Sequence, residues 1–287
     1  MNSAIPMPQK LRYGVQLLRI KDWSVQNGVF LLGAFFADDF LGRSWSFIGA
    51  SLVLSCLCLA YGYSLNEFFD EIKEKVAGDE TTTREMMRCI YAFLIFSLGV
   101  AWMISFTTFA IVSLLAVTVW LHSAPPFVLK RRLFWRLFLN SLGFGLFFLA
   151  GSSLDNHVSG GEALMGLFIF GLYLPLELIH VLAHMEADRI KGFPTLALVH
   201  GERRTMLLAV ASLGCLIAYS ILLAWQTVIS PVFAGWSVFN LLLLLLSLVA
   251  FYKRTNSSEM YGQLRFRAKM ICGMYGMGML GILIGKA

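Results

Sequence analysis

Long apolar stretches alternate along the chain with short segments that contain most of its charged residues. An α-helix needs roughly 20 consecutive apolar residues to cross the hydrocarbon core of a membrane, and nine stretches come close to this length. Their predicted bounds are 23–41, 46–65, 89–105, 107–122, 137–154, 163–183, 205–226, 231–252 and 269–285. The pattern predicts an all-α membrane protein with nine transmembrane helices in a single domain, residues 1–287.

The third and fourth predicted spans lie in one long stretch, residues 89–121, that contains no Asp, Glu, Lys or Arg. A single helix of that length would reach about 50 Å, against a hydrocarbon core of about 30 Å. We therefore predict two spans joined by a tight turn near residues 105–108.

Basic residues are distributed unevenly between the two sides that these spans would define. All Lys and Arg residues except Arg43 and Lys286 fall in the N-terminal segment or around the connections after spans two, four, six and eight. Cytoplasmic loops of membrane proteins carry an excess of Lys and Arg. The N-terminus and these loops are therefore predicted to be cytoplasmic, and the C-terminus to lie on the opposite side.

Composition agrees with a membrane protein, since hydrophobic residues make up 58% of the chain and charged residues only 14%. These values exclude an ordinary soluble domain. The net charge of +6 comes from the basic residues on the predicted cytoplasmic side of the membrane, so nucleic acid is not an expected partner. The five cysteines show no CxxC spacing and are interpreted as small core residues, without a disulfide framework or a zinc site.

Oxygen-bearing side chains collect directly after the second span. Asn66, Asp70 and Glu74 are spaced four apart, so in a helix they line one face. Carboxylate and amide oxygens are the ligands that Mg²⁺ accepts, with open positions for substrate phosphate.

A second polar stripe ends the sixth span, where Glu177, His180, His184 and Asp188 follow a 3-4-4 spacing. Ionisable groups inside a membrane span mark functional sites by default, although charged residues at a helix end also occur as plain solvated faces. We expect the two stripes to face each other across the bundle. His180 and His184 are open to three interpretations: a hydrogen bond to each other or to a neighbouring helix, a metal-ligand role for His184, or a general-base role for His184.

Three motifs resemble those of the UbiA superfamily of membrane prenyltransferases. Residues 66–74, NEFFDEIKE, resemble NDxxDxxxD; residues 122–130, HSAPPFVLK, resemble YSxPPxRLK; and residues 184–196, HMEADRIKGFPTL, resemble DxxxD with its Gly-x-x-Thr-Leu tail. The resemblance implies nine transmembrane helices around a central cavity that opens to the cytoplasmic side. It also implies Mg²⁺ as cofactor and a polyprenyl diphosphate as donor, with the isoprenyl tail in an apolar tunnel.

Carried over residue by residue, the resemblance makes Asn66, Asp70 and Glu74 metal ligands from the first motif and Asp188 one from the second. It also implies that Lys130 contacts the diphosphate of the donor. The predicted catalytic residues are Asp70, Asp188 and His184, and His184 is also a predicted metal ligand.

The remaining predicted contacts with the diphosphate come from residues suited to anions. They are Arg131, Arg84, Lys191 and Ser123.

Besides the acid-for-acid changes at Glu67 and Glu74, three positions depart from the family pattern in the type of side chain. His184 replaces an Asp, His122 replaces a Tyr and Val128 replaces an Arg. Imidazole is a poorer ligand for Mg²⁺ than carboxylate, so the departure at His184 bears on the second metal site.

The predicted function is Mg²⁺-dependent transfer of an isoprenyl chain from a polyprenyl diphosphate to an acceptor within the bilayer. Three alternatives stay open. The first is a terpene cyclase on the same fold, with a histidine as base. The second is a transporter that uses the stripe at 177–188 as an ion path, and the third is a weakened relative that serves as a binding partner.

Overall fold

The computed structural model describes residues 7–37, 40–190, 192, 194–252 and 258–285, and it contains no strand among them. Twelve α-helices are labelled here in chain order. They are α1 (Met7–Leu18), α2 (Trp23–Phe36), α3 (Trp45–Glu67), α4 (Glu80–Ile104), α5 (Phe106–Ser123), α6 (Leu133–Ser152), α7 (Gly160–Ala183), α8 (Met185–Ile190), α9 (Leu196–His200), α10 (Glu202–Trp225), α11 (Pro231–Tyr252) and α12 (Ser258–Ile284).

Within the described residues, eight helices are long and apolar enough to cross a membrane: α3, α4, α5, α6, α7, α10, α11 and α12. They coincide with eight of the predicted spans, so the prediction of an all-α, multi-pass membrane protein is confirmed. The first predicted span corresponds to α2, an apolar helix of 14 residues. A ninth transmembrane helix, the sidedness of the loops and a cavity open to the cytoplasm stay predictions.

The helical conformation is interrupted at Ser105, between the end of α4 and the start of α5. The backbone of Ser105 is extended, and its side chain accepts a hydrogen bond from the backbone N–H of Thr108 at 3.0 Å. The hydroxyl thus caps the first turn of α5, as serine commonly does at a helix start. The predicted turn near 105–108 is confirmed.

The helices group into two compact units. The first unit contains α1 to α5 together with residues 149–158, and the second contains residues 129–148 together with α7 to α12. The single domain predicted from the sequence stays a prediction. The first motif lies in the first unit, and the second motif lies in the second.

A small apolar core holds the first motif in place within its unit. Leu17 of α1, Leu65 of α3 and Ile90 of α4 are buried together with Phe68 and Ile72. Burial of Phe68 and Ile72 leaves Asp70 and Glu74, on other sides of the same segment, exposed.

Close backbone approaches fix helix positions in both units. In the first unit, a Cβ atom at Gly151 would lie 2.0 Å from the carbonyl oxygen of Phe30. In the second, a Cβ atom at Gly145 would lie 3.0 Å from the carbonyl oxygen of Gly166. Both glycines are needed because a side chain there would push two helices apart.

Candidate functional site

The first motif continues α3 through a π turn. Phe68–Ile72 forms the π segment, in which the N–H of Lys73 bonds the carbonyl of Phe68, and Lys73–Lys75 is α-helical again. A π turn closes i→i+5 bonds instead of i→i+4, and such turns are frequent at functional sites. The sequence predicted the helix but not the π turn.

The π turn improves the alignment of the three predicted metal ligands. In a plain α-helix, with about 100° of rotation per residue, Asn66 and Glu74 would point about 80° apart. A π turn rotates less per residue because it holds more residues in each turn. Asn66, Asp70 and Glu74 therefore lie nearer to one line along the helix than the α-helical spacing implies.

Asn66 lies between two hydrogen-bonding partners. Its Nδ2 donates to Asp70 Oδ2 at 3.0 Å, and its Oδ1 accepts from Ser123 Oγ at 2.9 Å. Ser123 is buried at the end of α5, whereas Asp70 and Glu74 are exposed. The first and third motifs thus meet at one amide, which agrees with predicted roles for both in one site.

Glu67 and Glu71 occupy a different face of the same helix. Gln16 of α1 donates from Nε2 to Glu67 Oε1 at 2.9 Å and to Glu71 Oε2 at 3.2 Å. Glu67 is buried and also lies 3.8 Å from Arg19 Nη1, and Lys75 pairs with Glu71 at 3.2 Å. The motif is therefore divided between two faces, and Glu67, which replaces an Asp of the family pattern, is bound to α1.

The second stripe runs through a short break between α7 and α8. His184 is the residue at the break; its N–H bonds the carbonyl of His180 at 3.1 Å, and its own carbonyl accepts from the N–H of Asp188 at 2.8 Å. Because these bonds carry the helical pattern across the break, the 3-4-4 spacing persists as one stripe. The rings of His180 and His184 lie with their centroids 4.5 Å apart.

Arg136, at the start of α6, binds both carboxylates of the second stripe. Its Nε donates to Glu177 Oε1 and its Nη1 to Asp188 Oδ2, each at 3.3 Å. Asn140, one turn further along α6, donates to Glu177 Oε2 at 2.8 Å. The side chains of Arg136, Glu177 and Asp188 are only 17%, 11% and 10% exposed, so these are buried, charge-assisted bonds.

His184 is bound by a second arginine, Arg265 of α12, whose Nη1 contacts His184 Nε2. A guanidinium can only donate, so the imidazole nitrogen at this contact is the acceptor. The lone pair that would ligate a metal through Nε2 is therefore used by Arg265.

Sequence reasoning gave no specific role to Arg136, Asn140, Arg265 or Gln16. One signal was present for the first two, because Arg136 and Asn140 are four apart on an otherwise apolar helix. Nothing in the local sequence predicts that Arg265 contacts His184 or that Gln16 bonds Glu67, because the partners lie far apart along the chain.

The predicted diphosphate contacts lie in separate elements. Lys130 and Arg131 belong to a short 3₁₀ helix, Leu129–Arg131, just before α6. Arg84 is exposed on the first turns of α4. Lys191 lies outside the described residues, and its predicted role is untouched by the structure.

The first motif fits a magnesium ion by its chemistry. Asn66, Asp70 and Glu74 offer only oxygen ligands, and Mg²⁺ is commonly bound by one or two carboxylates together with waters and substrate phosphates. In the part of the chain that the structure describes, no three His, Cys, Asp or Glu side chains converge on a common metal position. Water and substrate phosphate commonly supply the remaining positions around Mg²⁺.

The second stripe fits a divalent cation less well. Arg136 occupies oxygens of both Glu177 and Asp188, and Arg265 occupies His184 Nε2. The sequence-based assignment of His184 and Asp188 as metal ligands stays a prediction.

The fold is similar to several solved membrane proteins. A structure of digeranylgeranylglyceryl phosphate synthase in membranes superposes with a TM-score of 0.76 at 16% identity, covering 96% of this chain and 99% of the other. A UbiA homolog from Archaeoglobus fulgidus bound to DMAPP and Mg²⁺ gives a TM-score of 0.73 at 16% identity, and the same homolog bound to GPP and Mg²⁺ gives 0.72 at 16% identity. In both cases the match covers 94% of this chain and 99% of the homolog.

No curated protein sequence matches the chain significantly. The model of the UbiA prenyltransferase family, in contrast, matches residues 28–269, which is most of the chain and includes all three motifs. The predicted resemblance is thereby confirmed, and the protein belongs to the UbiA prenyltransferase family.

Proposed function

We propose that this protein transfers an isoprenyl chain from a polyprenyl diphosphate to an acceptor within the membrane, with Mg²⁺ as cofactor. The observation that carries the proposal is the pairing of Asn66 with Asp70 and Ser123, which arranges oxygen ligands on an exposed helix end. Family membership supports it, as do the isoprenyl diphosphates and Mg²⁺ bound by the homolog of the same fold.

Asn66, Asp70 and Glu74 would hold the cation, while Ser123 keeps the amide of Asn66 oriented. When bound, Mg²⁺ would stabilise the negative charge that builds up on the departing diphosphate. The diphosphate-binding roles predicted for Lys130 and Arg131 are part of the proposal, since both side chains can donate charge-assisted hydrogen bonds to phosphate oxygens.

In the proposed reaction the allylic carbon–oxygen bond breaks and the diphosphate leaves with the electron pair. A nucleophilic atom of the acceptor forms the new bond to that carbon and then loses its proton. Apolar side chains of the transmembrane helices would exclude water, which otherwise competes with the acceptor for the cationic carbon.

The direct test is an assay of the purified protein in lipid nanodiscs with Mg²⁺ and labelled dimethylallyl, geranyl, farnesyl or geranylgeranyl diphosphate. Aromatic acids, lipid alcohols and phosphosugars are supplied as acceptors. The expected result is diphosphate release with a labelled, prenylated product, lost in Asp70→Asn and retained in Glu80→Gln, a matched change of an exposed carboxylate on α4. Absence of diphosphate release with every donor would overturn the proposal.

A further inference from the structure

Within the second unit, basic side chains already offset the negative charges of the second stripe, and Lys269 adds a further positive charge nearby. Arg136 and Arg265 carry two positive charges, and Glu177 and Asp188 carry two negative ones. Both arginines act on this cluster, since Arg136 bonds both carboxylates and Arg265 interacts electrostatically with Glu177 and His180 while it contacts His184. A divalent cation added here would leave a large excess of positive charge in a partly buried place.

The residue at position 184 decides this balance. An Asp there, as the family pattern has, would bring one more negative charge and two more oxygen ligands. His184 instead offers a nitrogen that accepts a hydrogen bond from Arg265. In this chain the departure at position 184 is thus compatible with the neighbouring Arg265, whose guanidinium contacts the imidazole.

We propose that His184 positions Arg265 as an anion-binding group, so that a guanidinium serves the diphosphate where the family's second motif would use a metal ion. The inference rests on the proposed function for the identity of the anion. His184 is a positioning residue in this scheme, and Arg265 is the group that contacts phosphate. An arginine suits this task because its planar fork bonds phosphate oxygens in pairs.

The experiment counts Mn²⁺ ions bound per chain by electron paramagnetic resonance, with inorganic pyrophosphate present and no prenyl donor. Wild-type protein is expected to bind one Mn²⁺, which Asp70→Asn removes. His184→Asp is expected to add a second Mn²⁺, because it restores the missing carboxylate; His184→Glu serves the same purpose if the first variant does not fold. Two Mn²⁺ ions in the wild type, with one lost in His184→Gln, would overturn the proposal and make His184 a ligand.

A second measurement follows pyrophosphate binding by calorimetry. Arg265→Met should weaken binding by about tenfold, the loss typical of a charge-assisted hydrogen bond. His184→Leu should weaken it similarly, whereas His184→Gln should stay within about twofold because its amide oxygen still accepts from Arg265. Equal binding in His184→Leu and the wild type would contradict the positioning role.

These measurements are independent of turnover. If metal and pyrophosphate bind as expected but no donor is consumed, the proposed function fails while the assignment of Arg265 stands. If donors are consumed but two metal ions bind, the assignment of Arg265 fails alone.

Discussion

Ser123 Oγ donates a hydrogen bond of 2.9 Å to Asn66 Oδ1 and so joins the end of α5 to the end of α3. The two residues are 57 positions apart and belong to two different motifs of the family. His122 Nδ1 lies 3.1 Å from the same hydroxyl. Ser123 therefore orients the amide that bonds Asp70. Because His122 contacts the same hydroxyl, the side chain at position 122 affects how Ser123 is oriented toward Asn66.

Replacing Ser123 by Ala should weaken Mn²⁺ binding at the first motif by about tenfold, because Asn66 Oδ1 loses the donor that fixes its orientation. Titration of the protein with Mn²⁺ and pyrophosphate measures the effect. Ser113→Ala is the matched control on α5, since Ser113 bonds the carbonyl of Phe109 in its own helix. Equal losses in the two variants would show that the bond to Asn66 is irrelevant to the metal.

Glu74 and Glu71 provide a comparison between the two faces of the first motif. Both are exposed, but Glu71 is bound to Gln16 and Lys75, whereas Glu74 follows Asp70 along the predicted metal face. Glu74→Gln should reduce Mn²⁺ affinity by about tenfold through loss of a charged ligand, and Glu71→Gln should change it by less than about twofold, because exposed ion pairs contribute little. A larger loss of Mn²⁺ affinity in Glu71→Gln than in Glu74→Gln would place the metal on the face that contains Glu67 and Glu71.

Arg136→Met should destabilise the protein by about 3 kcal/mol, because it removes the arginine partner of two largely buried carboxylates, Glu177 and Asp188. Thermal unfolding in detergent, followed by circular dichroism, measures the change. Arg189→Met is the control: Arg189 pairs with Glu186, but the two side chains are 59% and 57% exposed, so its loss should cost less than about 1 kcal/mol. A small effect at Arg136 would mean that the carboxylates find other partners.

Gly151→Ala should destabilise the first unit by about 2 kcal/mol or more, because the new Cβ would lie 2.0 Å from the carbonyl oxygen of Phe30 and overpacking of this kind forces backbone shifts. Gly49→Ala, in α3, meets nothing within 4 Å and should change stability by less than about 1 kcal/mol. Thermal unfolding distinguishes the two variants. Similar unfolding temperatures would contradict the close approach.

Apolar length and charge distribution were sufficient to predict eight transmembrane helices and the turn at Ser105. Both follow from local rules: a helix must be long enough to cross the hydrocarbon core, and a polar residue marks where the chain can turn. The spacing of Asn66 and Asp70 also predicted their contact, since residues four apart are neighbours on a helix.

Contacts between distant segments could not be predicted in the same way. Arg265 reaches His184 across 81 positions, and Gln16 reaches Glu67 across 51. A sequence pattern reports which face of a helix a residue occupies, but not which other helix lies against that face. The two arginines that bind the second stripe were therefore recognised only as part of a basic side of the protein.

The π turn at Phe68–Ile72 changes how the spacing of the first motif should be understood. Ligands placed every four residues do not match the 3.6-residue period of an α-helix, and over two turns the mismatch would carry Glu74 well away from Asn66. One additional residue in the turn absorbs this drift. Removing a single residue from the π segment should therefore leave Asn66 and Glu74 in register, whereas the same deletion in a plain α-helix would swing the downstream side chains by about 100°. An insertion or deletion at this helix end is thus tolerated if Asn66 and Glu74 still point in the same direction around the helix axis, even when the number of residues between them changes.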